Sequence, residues 1–379
     1  MNSNIEVEVS VVIPSLNEEA TIGLCIEKIW KVFQEHNING EIIVADNSID
    51  STPEIAKSLG AVVVTPDRRG YGYACRYGFK HAKGKYIVIG DADNTYDFSE
   101  IVKLIEPLRK DEADIVIGSR FKGCIEKNAM PLLHKYIGNP LLTFFINLFF
   151  KAGVSDANSG FRAFKRESLE VMDLKSDGME FASEMIIKAI KKGLRIREVP
   201  ITYHPRMAGK SKLKSFSDGW RHLKFMLLFT PKYVYFIPSL ASLIFGLFML
   251  LIALTNIHLG YSPGVHSSIL GGMFTILGYN IFMMGIFTDT YIARKIHVEM
   301  SKITMTILRK VTVERGIFMG IVLALIGFAY TIYLFNIWIS SSFRILPIRG
   351  QNVIGFTLII LGLQTIFYSI LLSILSENI

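Results

Sequence analysis

Tyr86-Ile87-Val88-Ile89-Gly90-Asp91-Ala92-Asp93 is the stretch whose reading decides the fold of the first half of this chain. Four apolar residues closed by a glycine and a carboxylate are too short for a core helix. They read as a strand buried on both faces, the kind found inside parallel sheets. Asp91 and Asp93 leave that strand at once. A strand end throws one carboxylate to each side of the small Ala92. Two such hard oxygen donors can hold Mg²⁺ while the ion bridges two phosphates. An Asp-x-Asp run alone is common; the apolar strand before it gives it weight.

Outward from this point the pattern repeats. Val9–Pro14, Glu41–Ala45, Ala61–Thr65 and Asp114–Gly118 read as further short strands. Helical spacing runs over Glu18–Glu35, Pro53–Leu59, Gly70–Ala82 and Ser99–Arg109. Strands alternating with helices predict an α/β fold, a Rossmann-like and mostly parallel sheet. Ligands of such sheets bind at the carboxyl ends of the strands. Those ends carry Pro14 to Glu19, Asp46 to Thr52, Asp67 to Gly72, Asp91 to Asp93, and Ser119-Arg120. One acidic turn is ordinarily a cap; five polar strand ends on one rim point to a site.

Beyond residue 230 the physics changes. Stretches at about 234–255, 267–288, 316–338 and 353–375 are each long enough to cross a hydrocarbon core, which takes about 20 residues. None has a charge at its centre. The whole chain of 379 residues is 50% hydrophobic and 20% charged, with a mean hydropathy of +0.37. The 12% of aromatic residues exclude disorder, and three scattered cysteines exclude a disulfide scaffold or a cysteine metal site. The linker 289–315 carries Arg294, Lys295, Lys302, Arg309, Lys310 and Arg315, whereas 256–266 has no Lys or Arg. The positive-inside rule then puts that linker and the first half in the cytosol, and four spans return the C-terminus there. The acidic, polar start predicts no signal peptide. The expected division is a cytosolic catalytic domain over 1–230 and a four-helix membrane domain over 231–379. A multi-pass protein of this kind lies in the plasma membrane if its source is prokaryotic. The formal net charge of +8 belongs with anionic lipid rather than nucleic acid, because the cations gather near membrane segments. Two apolar stretches too short to span, near 134–150 and 215–229, read as interfacial helices.

Val11-Val12-Ile13-Pro14, Asn17-Glu18-Glu19, the Asp46 turn, Gly70-x-Gly72 and Asp91-x-Asp93 together resemble family 2 glycosyltransferases of the GT-A fold. Gly118-Ser119-Arg120, Asp156-x-x-Ser159-Gly160-Phe161-Arg162 and Gly209-Lys210-Ser211-Lys212-Leu213 are similar to the polyprenyl-phosphate hexose synthases, which include dolichyl-phosphate glucose and mannose synthases. The resemblance spans about 8–230. It implies that Pro14, Glu18, Asp46 and Gly70 serve the nucleotide of a UDP- or GDP-hexose donor. Asp91 and Asp93 would take Mg²⁺ or Mn²⁺ and the donor diphosphate. Arg120, counted with them as catalytic, would face the acceptor phosphate with Ser159 and Arg162. Arg206 and Lys212 would close over the diphosphate from a basic loop. The implied reaction is metal-dependent, inverting hexose transfer to dolichyl or polyprenyl phosphate.

Three positions depart from the mannose-type pattern. Thr95 stands where a glutamine is usual, and Ser155 precedes Asp156 where an arginine is frequent, so that a phosphate contact is either missing or supplied by Arg162 or Lys165. The Asp46 turn is either one residue shorter or has Ala45 at its first acidic position. Met130 to Pro140 resembles glucose-type relatives and tilts the sugar towards glucose. Mannose and N-acetylglucosamine remain alternatives, as does a membrane polysaccharide synthase, although its Gln-x-x-Arg-Trp run is absent. A non-catalytic carrier that senses nucleotide sugar is the reading from another class. Glu180 and Glu184, one helical turn apart, are either donor-sugar contacts or a favourably charged helix start.

Overall fold

The strand β1 (Val9–Ser15) forms the middle of the first half because six of its seven residues are buried, and only a sheet flanked on both sides accommodates that. The computed structural model describes residues 7–208, 215–255, 264–295, 300–343 and 352–376. It divides into two compact units, Met1–Met226 and Leu227–Ile379.

In the first unit the order is β1, α1 (Ile22–Glu35), β2 (Gly40–Asp46), α2 (Thr52–Ser58), β3 (Val62–Val64), α3 (Tyr71–His81), β4 (Tyr86–Ile89), α4 (Ile101–Arg109), β5 (Ile115–Ile125), α5 (Asn139–Phe150), β6 (Arg162–Lys165), α6 (Arg166–Met172), α7 (Phe181–Lys191), β7 (Ile196–Tyr203) and α8 (Ser215–Leu228). Seven strands form one sheet in the order β3-β2-β1-β4-β6-β5-β7. Every pairing is parallel except those of β6, which runs against β4 and β5. The sheet is therefore mostly parallel, as the strand–helix alternation predicts.

The two strands that sequence pattern missed are instructive. β6 is only Arg-Ala-Phe-Lys, with a charge at each end. β7 contains Arg197, Glu198 and Pro200 and pairs only with β5 at the sheet edge, where a proline is tolerated. Their tertiary neighbours, not their own periodicity, make them strands. β6 has a consequence for the site. Its first residue, Arg162, pairs with Ile89 on one side and Ile117 on the other. The Asp156–Phe161 loop therefore enters beside the carboxyl end of β4.

α1 shows why the helices pack as they do. Ile22, Cys25, Ile26, Ile29, Val32 and Phe33 are buried at the 3–4 spacing of one helical face. The helix starts at Ile22 rather than Glu18 because Asn17 adopts a left-handed φ of 54° and Glu18 forms a turn, its carbonyl accepting from the Thr21 and Ile22 amides.

The second unit holds α9 (Ile237–Thr255), α10 (Val265–Lys295), α11 (Lys302–Lys310), α12 (Val313–Ser340) and α13 (Asn352–Ser376). Among the described residues four helices are long and apolar enough to cross a membrane: Lys232–Thr255, Val265–Arg294, Val313–Ser340 and Asn352–Leu375. Glycines let α12 and α13 approach closely. A Cβ on Gly320 would stand 2.6 Å from the Gly362 carbonyl oxygen, and one on Gly327 would stand 2.6 Å from that of Gly355. Between α10 and α13 the Tyr279 and Thr365 hydroxyls lie 2.8 Å apart, and the Tyr368 hydroxyl donates to Asn280 Oδ1 at 2.5 Å. Polar side chains thus join apolar helices where water is excluded.

Candidate active site

The carboxyl ends of β1, β2, β4 and β5 and the amino end of β6 share one rim, which follows from their pairing directions. After β4 the chain runs through Asp91 and Asp93, then bends at Asn94, whose φ of 58° suits an asparagine. Asp93 is 7% exposed. Its Oδ1 accepts from the Thr95 amide at 3.1 Å and the Thr95 hydroxyl at 2.6 Å. The departure at Thr95 therefore has a physical role, since its hydroxyl orients Asp93. The other oxygen, Oδ2, accepts from Arg206 Nη2 at 2.5 Å. Arg206 Nη1 donates to Glu18 Oε1 at 3.2 Å, so one guanidinium spans the ends of β1 and β4.

Asp91, two residues beyond the end of β4, is half-buried. Its Oδ1 accepts the Tyr71 hydroxyl at 3.1 Å. On its other side a Cβ at Gly160 would come within 3.0 Å of Asp91 Oδ2, so only glycine fits there without displacement. The Tyr96 hydroxyl accepts the Gly160 amide at 2.7 Å and holds that backbone in place. Burial and, after it, the Asp93 charge push the Asp91 carboxyl up to about 7. Two neighbouring carboxylates, one buried and one half-buried, call for positive charge. Among the described residues no group of three or more His, Cys, Asp and Glu side chains is gathered for a metal. The Asp91–Asp93 pair suits a divalent ion that takes its remaining ligands from water and a substrate diphosphate, the usual manner of Mg²⁺.

Among the residues expected at the nucleotide, Pro14 is the last but one residue of β1 and Glu18, 8% exposed, follows that strand. Asp46 is the last residue of β2, level with Ser15. It is 3% exposed and accepts from the Ser48 amide at 3.0 Å and hydroxyl at 2.5 Å, so it shapes its own turn. Gly70 caps α3 at φ 150°, and a Cβ there would collide with the Asp177 carbonyl oxygen. Only glycine allows this backbone to meet the 173–180 loop.

The residues expected at the acceptor phosphate are engaged by the protein's own groups. Arg162 is 1% exposed, and its guanidinium donates to the Ser159 and Ala157 carbonyls at 2.8 Å each and to that of Ala182 at 2.9 Å. It ties the loop to α7 from within. Ser159 is wholly buried. Arg120 is 6% exposed and grips Asp156 with Nε at 2.7 Å and Nη2 at 2.8 Å. Its guanidinium also lies 5.1 Å from the centre of the Tyr203 ring. Arg120 thus positions the loop beside β4 instead of presenting a free fork. Lys165 cannot replace a phosphate contact either, because it sits at the opposite end of β6 and pairs with Asp111 and Asp114.

Glu184 resolves in favour of structure. It is 2% exposed, accepts from the Lys175 and Ser176 amides and pairs with Lys188 at 2.9 Å. Lys212, expected on the basic loop, lies outside the described residues. Sequence reasoning missed Tyr71 and Tyr96 as neighbours of the site, and gave Asp156, though it stands in the quoted motif, no role. Only the conjunction of Gly70-Tyr71-Gly72 with Gly160 across the sheet would have revealed the first two.

Residues 10–172 match the family described as glycosyl transferase family 2, and residues 286–376 match the glycosyltransferase family 2 C-terminal transmembrane region. The chain is 44% identical over 377 residues to the low-salt glycan biosynthesis hexosyltransferase Agl6 of Haloferax volcanii, covering 99% of this chain and 91% of that one. It is 32% identical to a dolichyl-phosphate hexose transferase of the same organism, over 56% of this chain and 89% of the other. A crystal structure of Mycobacterium tuberculosis glucosyl-3-phosphoglycerate synthase with Mn²⁺, uridine diphosphate and glucosyl-3-phosphoglycerate aligns at a TM-score of 0.46 and 25% identity, covering 58% of this chain and 78% of that one.

Proposed function

We propose, from the premise that the chain belongs to glycosyltransferase family 2, that it transfers a hexose from a UDP- or GDP-hexose to dolichyl or another polyprenyl phosphate with inversion. The chain is an integral membrane glycosyltransferase with a GT-A-like catalytic unit. The transfer takes place at the cytosolic membrane face, and glucose is the favoured sugar. The observation that carries the reading is the Asp91–Asp93 pair at the sheet rim, bridged to the β1 end by Arg206, in a chain that continues into membrane helices. The relative named as a dolichyl-phosphate hexose transferase supports a lipid phosphate acceptor.

The chemistry is consistent with that acceptor. A phosphate monoester has a second pKa of about 6 and is mostly ionised near neutral pH. Its oxygen attacks the anomeric carbon without a general base, which a sugar hydroxyl would need. As the new C–O bond forms, the bond to the donor diphosphate breaks, and charge develops on the leaving nucleoside diphosphate. Asp91 and Asp93 would hold Mg²⁺ or Mn²⁺, which supplies Lewis-acid stabilisation of that charge. Arg206 would pair with the diphosphate through its planar fork. Glu18, Asp46, Pro14 and Gly70 shape the nucleotide side, and the Arg120–Asp156 pair keeps the Ser159–Gly160 turn against Asp91.

Exposed apolar surface fits work at a lipid interface. Leu132, Tyr136 and Ile137 are more than half exposed, as is Phe144 on α5. Trp220 on α8 is 61% exposed. An aromatic-rich helical face of this kind inserts at the headgroup level.

The test is a donor screen with the full chain in detergent, polyprenyl phosphate and Mg²⁺ or Mn²⁺. Radiolabelled UDP-glucose, UDP-N-acetylglucosamine and GDP-mannose are offered in turn. Label entering the organic phase from UDP-glucose is the expected result. Label from another donor corrects the sugar. No labelled lipid from any donor, with the protein folded, refutes lipid-phosphate transfer.

A further inference from the structure

The guanidinium of Arg206 stands between two carboxylates that belong to different strand ends. It donates to Asp93 Oδ2 at 2.5 Å and to Glu18 Oε1 at 3.2 Å. Both acids are at most one-tenth exposed at the side chain, whereas Arg206 is 24% exposed. The other Asp93 oxygen is engaged by Thr95. Both oxygens of Asp93 are therefore engaged by the protein's own groups.

The arginine is held there by its chain neighbours, through one backbone and one side-chain contact. The His204 amide donates to the Thr95 carbonyl at 2.8 Å, and Asn94 Nδ2 approaches Met207 Sδ at 2.9 Å. Two anchors, one on each side of Arg206, pin its loop to the turn that carries Asp93. Only the side chain has to rotate for the bridge to open, and its partial exposure leaves room for that.

We propose that Arg206 is the resident counter-cation of this site, so that a divalent ion binds strongly only in company with a nucleoside diphosphate. The inference rests on the metal-site reading above and adds an order of binding to it. A cation arriving alone must displace a guanidinium from Asp93 and meets its positive charge at close range. A cation arriving with a diphosphate brings a new partner for the guanidinium, which moves from Asp93 to phosphate oxygens. The positive charge near Asp93 is then exchanged rather than lost, and the buried carboxylates are never left uncompensated. The same residue opposes the metal in the free enzyme and supports it in the donor complex.

The experiment measures Mn²⁺ binding to the full chain in detergent by electron paramagnetic resonance, alone and with saturating UDP or GDP. Wild type, Arg206→Gln and Arg206→Lys are compared, with Lys110→Ala as a control for loss of a remote surface charge and melting curves to confirm folding. Without nucleotide, Arg206→Gln binds Mn²⁺ about tenfold more tightly than wild type, because a like charge next to the ion is gone. With nucleoside diphosphate the order reverses, and Arg206→Gln retains Mn²⁺ more weakly. Arg206→Lys, which keeps the charge without the fork, stays close to wild type when no nucleotide is present. Equal Mn²⁺ affinity of wild type and Arg206→Gln without nucleotide overturns the proposal and leaves the transferase reading standing. No Mn²⁺ binding to any of these proteins, with or without nucleotide, overturns it together with the metal assignment.

Discussion

Replacing Asp156 by asparagine tests whether the Arg120 fork positions the loop or serves a ligand. The Asp156 carboxylate is wholly buried and accepts three hydrogen bonds from Arg120, at 3.0 Å from the amide, 2.7 Å from Nε and 2.8 Å from Nη2. The asparagine side chain would keep the shape but remove the charge, leaving a buried guanidinium without its counter-ion. Removing one partner of a buried pair costs about 3–5 kcal/mol. A unit of roughly 200 residues shifts its melting temperature by about 2–4 °C per kcal/mol, so the expected fall is about 6–20 °C. The assay is thermal melting of the full chain in detergent for Asp156→Asn, and for the cycle made of Asp156→Leu, Arg120→Leu and the double variant Arg120→Leu/Asp156→Leu. If the pair acts as a structural unit, the double variant melts well above the sum of the single losses, because apolar replacement of both partners is nearly neutral. A fall of less than about 2 °C for Asp156→Asn, or strict additivity in the cycle, would refute the reasoning and return Arg120 to a ligand-facing role.

Other expectations follow from the same geometry. Asp93→Ala abolishes sugar transfer while its circular dichroism spectrum stays that of the folded protein; full activity in that variant would remove the metal assignment. Gly160→Ala lowers kcat by at least about tenfold with little change in melting, because its Cβ displaces Asp91 Oδ2 and the Tyr71 hydroxyl, each within about 3 Å of it; unchanged turnover would show that Asp91 tolerates movement. The Asp91 carboxyl, pushed up to about 7, must lose a proton to bind metal below that pH. Mn²⁺ affinity in the presence of nucleotide therefore rises about tenfold from about pH 6 to about pH 8 and flattens beyond. Since the folded state keeps that proton where the unfolded chain has released it, the metal-free protein loses stability as pH rises from about 4 to about 7; a flat metal-binding profile would contradict both. Gly320→Leu separates α12 from α13, because any Cβ there collides with the Gly362 carbonyl; it should lower the yield of folded protein from membranes, as size-exclusion profiles would report.

How much of this was legible without coordinates depends on the range of the interaction that decides each feature. Four apolar stretches of span length announce themselves locally, since bilayer thickness sets their length directly. β1, β2 and β4 are legible for a similar reason: a strand buried on both faces must be apolar throughout, and their polar ends mark the rim. β6 and β7 were not legible, because Arg162 to Lys165 becomes a strand only when β4 and β5 lie on either side of it.

The site divides in the same way. Asp91 and Asp93 could be chosen from sequence, because a strand end dictates where its next residues emerge. Arg120, Ser159 and Arg162 could be seen to belong together but not what they do. Whether an arginine meets a ligand or an interior carboxylate depends on its neighbours across the sheet, and here Asp156 and three backbone carbonyls claim the two guanidinium groups. Glu184 faced the same choice, and two loop amides and Lys188 settled it. Sequence alone thus determined the class of fold, the four helices long and apolar enough to cross a membrane, and the sheet rim where the polar strand ends gather, all set by local pattern and solvent. Tertiary structure decided which charged rim residues remain available, because buried charges must find partners from distant parts of the chain, and only folding brings those partners within hydrogen-bonding distance.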